Sequence, residues 1–434
     1  MIDLGIYRLV GLVSMPSRNI YKALEVADFR WLWIGSLASS FAMNMQIVAR
    51  GWLVYELTSS PMDLAWVTLA FMLPTVLFSL AGGVVADRTP KRLVIVVAQT
   101  LNCIATIFMG WIIFKDQVVF WDFIWFGLFN GTILALSMPA RQAFAPELIP
   151  QHLIFTGMAL NTTSWNLSRI LGPALAGFLI AWVAGGDTSS TYGVGIVYFV
   201  IAFLYFLSVL TTLLISKAGI VRNVAEQKSV IRDMRDAFSY VLDHPPVFGL
   251  ILLSIVPFLF GMTINTMLPA FNQDILSGGA DDLGILMSSM GIGAILGSLL
   301  LASASDFRNR SLWLVGTCVA WGVVTAAFGL ATSFGVCIGL IALIGFVSSW
   351  NMSLNRGLLQ LQVEDHMRGR ILSVDMMSHG LMPLGVIPIS IIAELFSISA
   401  ALFVSGICFV ICILLLWVFS GSVRRVDENV SVTT

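Results

Sequence analysis

The sequence is dominated by apolar segments, each close to the length that crosses a bilayer as a helix. About 20 residues of α-helix span the hydrocarbon core, and a helix satisfies its own backbone hydrogen bonds there. The apolar residues stand on consecutive positions, whereas strands of a membrane barrel alternate. We predict an all-α integral membrane protein. Its twelve transmembrane helices are expected near 31–57, 62–86, 93–114, 119–139, 154–184, 192–216, 246–270, 283–304, 311–331, 334–354, 371–394 and 397–420.

Composition supports this class and argues against several functions. Of the 434 residues, 58% are hydrophobic and 11% charged, whereas soluble domains average about 45–50% and about 25%. The four histidines are dispersed, and no glycine-rich phosphate loop precedes a lysine. We therefore expect no enzymatic activity, no metal site and no cofactor. The net charge of −1 gives no reason to expect a nucleic-acid partner.

The basic residues predict the orientation of the chain. Twenty of the 23 lysines and arginines fall on one side of the predicted helices, and the loops of the other side hold only Lys115. Cytoplasmic loops carry the excess of bases, so both termini and the central loop are predicted to be cytoplasmic. Residues 1–30 lack an apolar core followed by a small-residue cleavage site, which predicts a retained cytoplasmic segment and not a signal peptide.

Polar stretches divide the rest of the chain. The expected parts are a first six-helix bundle at 31–216, a second at 246–420 and a cytoplasmic tail at 421–434. In the polar stretch 217–245, four apolar positions recur at helical spacing with charges between them. We interpret this stretch as a cytoplasmic linker helix that lies against the membrane face. A solvated tether is the alternative.

A charged motif interrupts the apolar pattern after the second segment, in "GGVVADRTPKR". It resembles the loop signature G-x-x-x-D-R-x-x-R-R of the major facilitator superfamily. The matching residues are Gly83, Asp87, Arg88, Lys91 and Arg92. The resemblance implies the fold of that superfamily, with substrate bound between two halves.

The second half carries a degraded copy of this motif. Asp306 and Arg308 are kept, while Ala302 and Phe307 replace the signature's glycine and arginine. Six helices, a linker and six helices with similar loops predict two pseudo-symmetric six-helix bundles, related by an axis along the membrane normal.

The fifth segment resembles the G-P-x-x-G-G element of drug:proton antiporters, through Gly172, Pro173 and Gly177. Together with "WLVYELTSS" and "RGRILS", it is similar to the branch that holds the enterobactin exporter and macrolide-efflux proteins. That resemblance implies a bacterial plasma (inner) membrane location. It also implies that the fifth and eighth helices meet across the halves, where small residues allow the backbones to slide.

The resemblance further implies a gating role for the charged loops. Asp87 would meet the start of the eleventh helix, near Arg370, when the cytoplasmic side is shut. A carboxylate at a helix N-terminus contributes about 0.3–1 kcal/mol, which is enough to bias states separated by a few kcal/mol. We expect Arg88 and the pair Asp306 and Arg308 to contribute likewise. The plainer alternative is that the bases only hold the orientation.

Polar residues at membrane depth are candidates for a substrate cavity. On the fifth segment, Asn161, Trp165, Asn166 and Arg169 recur at helical steps and predict a wall for an anionic or carbonyl-rich substrate. The alternative is equally open: a buried arginine that is satisfied by backbone carbonyls or by a partner acid and that fixes the fold. Trp350 is a candidate for stacking on the substrate.

The first segment offers two further cavity candidates, Asn44 and Gln46. Arg50 lies toward the outer end of the same segment. We interpret it as structural, through an ion pair with Glu56 or Asp63 just beyond it.

Proton coupling is expected mainly from the resemblance, and the eleventh segment offers residues for it. Asp375 and His379 stand four residues apart and share one helix face. A carboxylate beside an imidazole can carry a proton, although Asp375 lies close enough to the cytoplasmic edge to be simply hydrated. Glu394 is a further candidate.

The sequence therefore predicts a monomeric secondary exporter of amphiphilic, drug-like or siderophore-like molecules. It would work by alternating access in the lipid bilayer, with protons as the coupling ion. The alternatives are a lysophospholipid or metabolite carrier of the same fold, and a non-transporting membrane scaffold or sensor.

Overall fold

The computed structural model describes residues 22–185, 191–220, 230–303, 310–364 and 367–424. In these ranges the chain is helical and contains no strand. Twelve helical segments are long and apolar enough to cross a membrane. The predicted all-α membrane fold is confirmed.

The first half contains six helices, and a helix of the central polar stretch follows them. They are α1 (Ala27–Thr58), α2 (Pro61–Arg88), α3 (Lys91–Phe114), α4 (Phe120–Leu148), α5 (Ile154–Val183), α6 (Thr191–Leu213) and α7 (Val230–Asp243). Local signals set the ends: Ser60 accepts a hydrogen bond from the Asp63 backbone N–H, and Pro61 opens α2.

The second half also crosses six times, but its first and fifth spans are broken. The seventh span is α8 (Pro245–Val256), a π-helical turn (Pro257–Gly261) and α9 (Thr263–Asp274). The eleventh span is α13 (Arg368–Met377), a 3₁₀ turn (Ser378–Leu381) and α14 (Met382–Leu395). The remaining helices are α10 (Ala280–Ser303), α11 (Arg310–Gly329), α12 (Phe334–Gln362), α15 (Ile398–Phe419) and α16 (Gly421–Arg424).

Two helices extend well beyond their apolar segments. The helix α4 continues to Leu148 and α12 to Gln362, whereas hydropathy places their ends near 139 and 354. The added turns carry Arg141 and Arg356. Hydropathy detects only the part of a helix that lipid or the apolar core surrounds, so it misses these polar extensions.

Each half contains a close pair formed by its second and fourth spans. A Cβ on Gly131 of α4 would lie 2.1 Å from the carbonyl oxygen of Phe71 in α2. A Cβ on Gly345 of α12 would lie 2.0 Å from the carbonyl oxygen of Met290 in α10. The same close approach at equivalent helices reflects the pseudo-symmetry of the two bundles.

The two ends of the bundle differ in charge. We call the end that carries Arg88, Arg92, Arg368, Arg370 and Arg424 the basic end, and the opposite end the far end. The helix pairs through which the halves meet include α1 with α9, α5 with α10 and α2 with α14. The C-terminal ends of α1 and α9 contact each other at the far end.

The helix α7 lies at the basic end and packs against α13 and α8. Ala237 and Val241 are buried in this contact, and Phe238 is exposed. Asp236 lies 3.9 Å from the guanidinium of Arg370 at the start of the eleventh span. The central polar stretch therefore contacts the second half directly.

Candidate functional site

A cavity of about 210 Å³ lies between the two halves. The helices α1, α2, α3, α4 and α6 supply one wall, and α9, α10 and α14 supply the other. Its lining residues are Met43, Gln46, Ile47, Arg50, Gly51, Val54, Leu64, Val67, Thr68, Phe71, Met72, Asn102, Asn130, Leu134, Tyr205, Asn265, Thr266, Pro269, Met287 and Met382. Both halves therefore contribute to its wall.

The wall is mainly apolar and includes four methionines. Methionine is flexible and polarisable, so it adapts to ligands of irregular shape. Phe71 adds an aromatic face. This lining suits the apolar part of an amphiphilic molecule.

Arg50 is the one charged residue in this lining. Its guanidinium carbon lies 5.3 Å from the centroid of the Phe71 ring, a cation–π contact. No carboxylate in the described part of the chain forms an ion pair with it. The cavity therefore contains an uncompensated positive charge.

The expected structural ion pair of Arg50 is wrong for the residues described. Glu56 accepts a hydrogen bond at 3.0 Å from Gln273 of α9, and Asp63 lies in the first turn of α2, hydrogen-bonded to Thr58. Both acids therefore have hydrogen-bond partners other than Arg50, at the far end of the bundle. The sequence shows their proximity to Arg50 but not the direction in which Arg50 points.

Hydrogen-bonding groups surround Arg50 in the cavity wall. The hydroxyl of Tyr205 donates to Oε1 of Gln46 at 3.3 Å, which orients the Gln46 amide. Asn102 and Asn130 add amides from α3 and α4, and the Oδ1 atom of Asn102 has no hydrogen-bond partner. Sequence reasoning missed Arg50, Tyr205 and both asparagines as lining residues, although a polar side chain at membrane depth was a usable signal for each.

Of the predicted cavity residues, Gln46 lines the cavity and Asn44 does not appear in its wall. Asn44 is buried and donates to Oγ of Ser168 at 3.2 Å and to the carbonyl of Ser40 at 2.9 Å. It joins α1 to α5. Gly172 lies against it, since a Cβ there would approach the Asn44 Cβ to 2.8 Å.

The predicted α5 stripe lies outside the lining of this cavity. Trp165 is exposed, and Asn166 and Arg169 are half-buried. The Oδ1 atom of Asn161 is buried without a partner. The stripe belongs to the part of α5 that begins at the basic end.

Trp350 is also separate from the cavity. Its ring lies 6.1 Å from that of Trp313 and 5.7 Å from that of Phe346. These aromatic residues line a distinct groove of about 540 Å³ between α11 and α12.

Hydrogen bonds join the two halves at the far end. The hydroxyl of Tyr55 donates to Oδ2 of Asp274 at 2.6 Å, and Gln273 donates to Glu56. Both bonds join the last turns of α1 and α9. We call these two bonds the far-end latch. Tyr55 lies five residues beyond Arg50 on α1, so the latch lies just past the positive charge of the cavity.

The helices α5 and α10 form a tight seam between the halves. A Cβ on Gly177 would lie 2.3 Å from the carbonyl oxygen of Ala280, and one on Gly284 would lie 2.7 Å from that of Pro173. The Oγ of Ser288 donates to the carbonyl of Ile170 at 2.6 Å. The structure brings Pro173 and Gly177 to the contact between the halves.

Two residues of the charged signature at the basic end, Lys91 and Arg92, form contacts within the first half. Nζ of Lys91 forms an ion pair with Glu147 at 2.9 Å and donates to the carbonyl of Ile220. Arg92 donates to the carbonyl of Leu213. These contacts fasten α3 to the ends of α4 and α6. Asp87 is half-buried and Arg88 exposed; the counterparts Asp306 and Arg308 lie outside the described residues.

Asp375 is buried inside the second half. Oγ of Ser254 in α8 donates to its Oδ1 at 2.5 Å, and Nε of Arg356 in α12 lies 3.6 Å from its Oδ2. The alternative that Asp375 is simply hydrated is wrong, since only 2% of its surface is exposed. The side chain of His379 lies outside the described residues, and Glu394 is exposed near the end of α14.

The chain is similar to known exporters over most of its length. It is 24% identical to the staphyloferrin A transporter of Staphylococcus aureus over 89% of this chain and 93% of that protein. It is 24% identical to macrolide efflux protein A of Streptococcus pyogenes, over 92% and 97%. The enterobactin exporter EntS of Citrobacter koseri is 25% identical over 67% of each chain.

The fold is also shared with solved transporter structures. A crystal structure of the nucleoside transporter NupG superposes with a TM-score of 0.72 over 90% of this chain and 99% of that chain, at 15% identity. That likeness shows the fold. The family model described as "Transmembrane secretion effector" matches residues 20–433. The chain therefore belongs to this family of efflux transporters within the major facilitator superfamily.

Proposed function

We propose that this protein is a secondary exporter that moves amphiphilic, drug-like or siderophore-like molecules out of a bacterial cell by alternating access. The observation that carries the proposal is the mainly apolar cavity between the halves, shut at one end by the far-end latch. The relatives named for macrolide efflux and enterobactin export point the same way.

The basic end is proposed to face the cytoplasm. Loops on the cytoplasmic side of a membrane protein carry the excess of lysine and arginine, and most of the described arginines gather at that end. Both termini would then be cytoplasmic, in the plasma membrane. With the latch formed, the structure would represent a state that admits substrate from the cytoplasm, and the protein would work as a monomer.

Protons are proposed as the coupling ion, with Asp375 as their carrier. Ser254, Arg356 and Asp375 come from three different helices of the second half. Protonation of the carboxylate would remove its attraction to Arg356 and loosen α12 from the eleventh span. Such a change biases one state over another when the two differ by about a few kcal/mol.

Everted membrane vesicles from a bacterium without its own drug exporters test this proposal. Uptake of a panel of fluorescent amphiphiles is expected to follow an imposed pH gradient and to stop when a protonophore is added. Asp375→Asn is expected to abolish gradient-driven uptake while keeping exchange between labelled and unlabelled substrate.

The control for this experiment is Glu25→Gln, which neutralises an exposed acid near the start of α1 and is expected to transport normally. If Glu394→Gln and not Asp375→Asn loses gradient-driven uptake, the proton carrier is Glu394. If the wild-type protein is inserted correctly and moves no compound of the panel, the export proposal is wrong.

A further inference from the structure

We propose that the central cavity selects amphiphiles that carry an anionic group, such as a carboxylate, and that Arg50 binds this group. The inference rests on the proposed export function and names the class of substrate. It starts from two observations on Arg50. This residue is the one charged residue in the described lining of the cavity, and it has no ion-pair partner in the described part of the chain.

An isolated positive charge is costly in a low-dielectric site unless an opposite charge or several hydrogen bonds compensate it. The Phe71 ring compensates only weakly, at 5.3 Å. Arg50 therefore gains more from an anionic ligand than a paired arginine would. Its planar guanidinium also matches a carboxylate through two parallel hydrogen bonds.

The surroundings of Arg50 strengthen the positive potential. The helices α1 to α6 carry their described acids only within three residues of a helix end, whereas Arg50 and Arg141 lie further inside their helices. Arg141 donates to Oγ of Ser39 at 2.6 Å and, like Arg50, lies within electrostatic range of Tyr205. Clefts lined by one sign of charge concentrate ligands of the opposite sign.

The other polar groups of the wall also fit an anion. Because Oε1 of Gln46 accepts from Tyr205, the amide N–H groups of Gln46 remain to donate to a ligand. Asp375, the acid proposed to carry the coupling proton, does not line the cavity and already has Ser254 and Arg356 as partners. A cationic amphiphile would find no described carboxylate in the wall.

A matched pair of probes tests the inference: 11-(dansylamino)undecanoate and its neutral methyl ester. Binding of each would be measured by dansyl fluorescence with the full chain in lipid nanodiscs, after subtraction of the signal from empty nanodiscs. The wild-type protein is expected to bind the carboxylate about tenfold more tightly than the ester.

Variants at Arg50 separate charge recognition from folding. Arg50→Gln is expected to remove the preference for the carboxylate and to change ester binding by less than about twofold, while Arg50→Lys keeps much of the preference. The matched control is Lys115→Gln. It removes a cation that stacks on Trp111 outside the cavity, and it is expected to leave both affinities unchanged.

Several results would overturn the inference. Equal affinity of the wild-type protein for acid and ester contradicts it, as does an Arg50→Gln variant that weakens both probes equally, because Arg50 would then act only through structure. If the ester binds and is exported without any preference for the acid, export stands and the anionic class is rejected. If neither probe binds and the vesicle panel shows no transport, both proposals fail.

Discussion

Replacing Tyr55 by phenylalanine removes one hydrogen bond of the far-end latch and little else. The ring of Tyr55 is buried, with 2% of its surface exposed, so phenylalanine keeps its packing. Asp274 is exposed, so its carboxylate regains water when the tyrosine hydroxyl is gone. The substitution therefore measures the free energy that the hydrogen bond from Tyr55 to Asp274 contributes to the contact between the halves at the far end.

The size of the effect follows from the geometry. A hydrogen bond to a charged acceptor contributes about 1.5–3 kcal/mol, and the distance of 2.6 Å is short. Because Asp274 is exposed, water and salt weaken the bond, so the lower end of this range applies. A loss of about 1.4 kcal/mol changes the ratio of closed to open far end by about tenfold.

The ratio can be read from distances between nitroxide labels on a cysteine-free background in nanodiscs. Suitable label positions are Leu57 and Asp281, which are exposed at the far end on α1 and α10. Tyr55→Phe is expected to increase the long-distance population. The control is Tyr192→Phe, which removes an exposed hydroxyl from the same end of the bundle.

A double-mutant cycle decides whether the bond itself is responsible. Asp274→Asn should produce a similar shift, and adding Tyr55→Phe to it should produce little more. Additive effects of the two substitutions, or unchanged distances in Tyr55→Phe, would refute the assignment of the latch to this state.

Two further substitutions test contacts at other places in the fold. Gly177→Ala places a Cβ 2.3 Å from a backbone oxygen of α10. Overpacking of about 1–3 kcal/mol should open the seam and shift the same label distances. The control Gly339→Ala adds a Cβ that meets no other helix within 4 Å and should leave the distances unchanged. Lys91→Ala removes the buried ion-pair partner of Glu147, which keeps the hydrogen bond from the Ile220 backbone N–H. A loss of about 1–3 kcal/mol for the lost charged contact should lower the thermal unfolding temperature of the solubilised protein. The exposed Arg88→Ala should not, and equal unfolding temperatures for both variants would contradict the fastening role of Lys91.

The fold was largely predictable because membrane insertion acts on local sequence. The apolar segments predict twelve helices that the structure contains, and the charged motif predicts the superfamily to which the chain belongs. The predictions were weakest where a helix leaves the membrane, as at the ends of α4 and α12, because hydropathy falls there while the helix continues.

The candidate site was predicted less well, because its residues depend on how each helix is rotated. Arg50 and Asn44 stand on the same helix at membrane depth. The structure turns Arg50 into the cavity and Asn44 toward Ser168 of α5. The sequence predicts the opposite roles for these two residues, because it gives the position of each residue along α1 and not the direction of its side chain.

Sequence by itself determined the helical class, the number of spans, the division into two related halves and the asymmetry of the bases. These properties follow from hydropathy, repeat and charge along the chain. Only the tertiary structure decided which group each buried or interfacial carboxylate contacts. Tyr55 donates a hydrogen bond to Asp274, 219 positions away, and Ser254 donates one to Asp375, 121 positions away. Arg50 forms no ion pair with any described carboxylate. Such pairings depend on the packing of distant helices, and no local pattern encodes them.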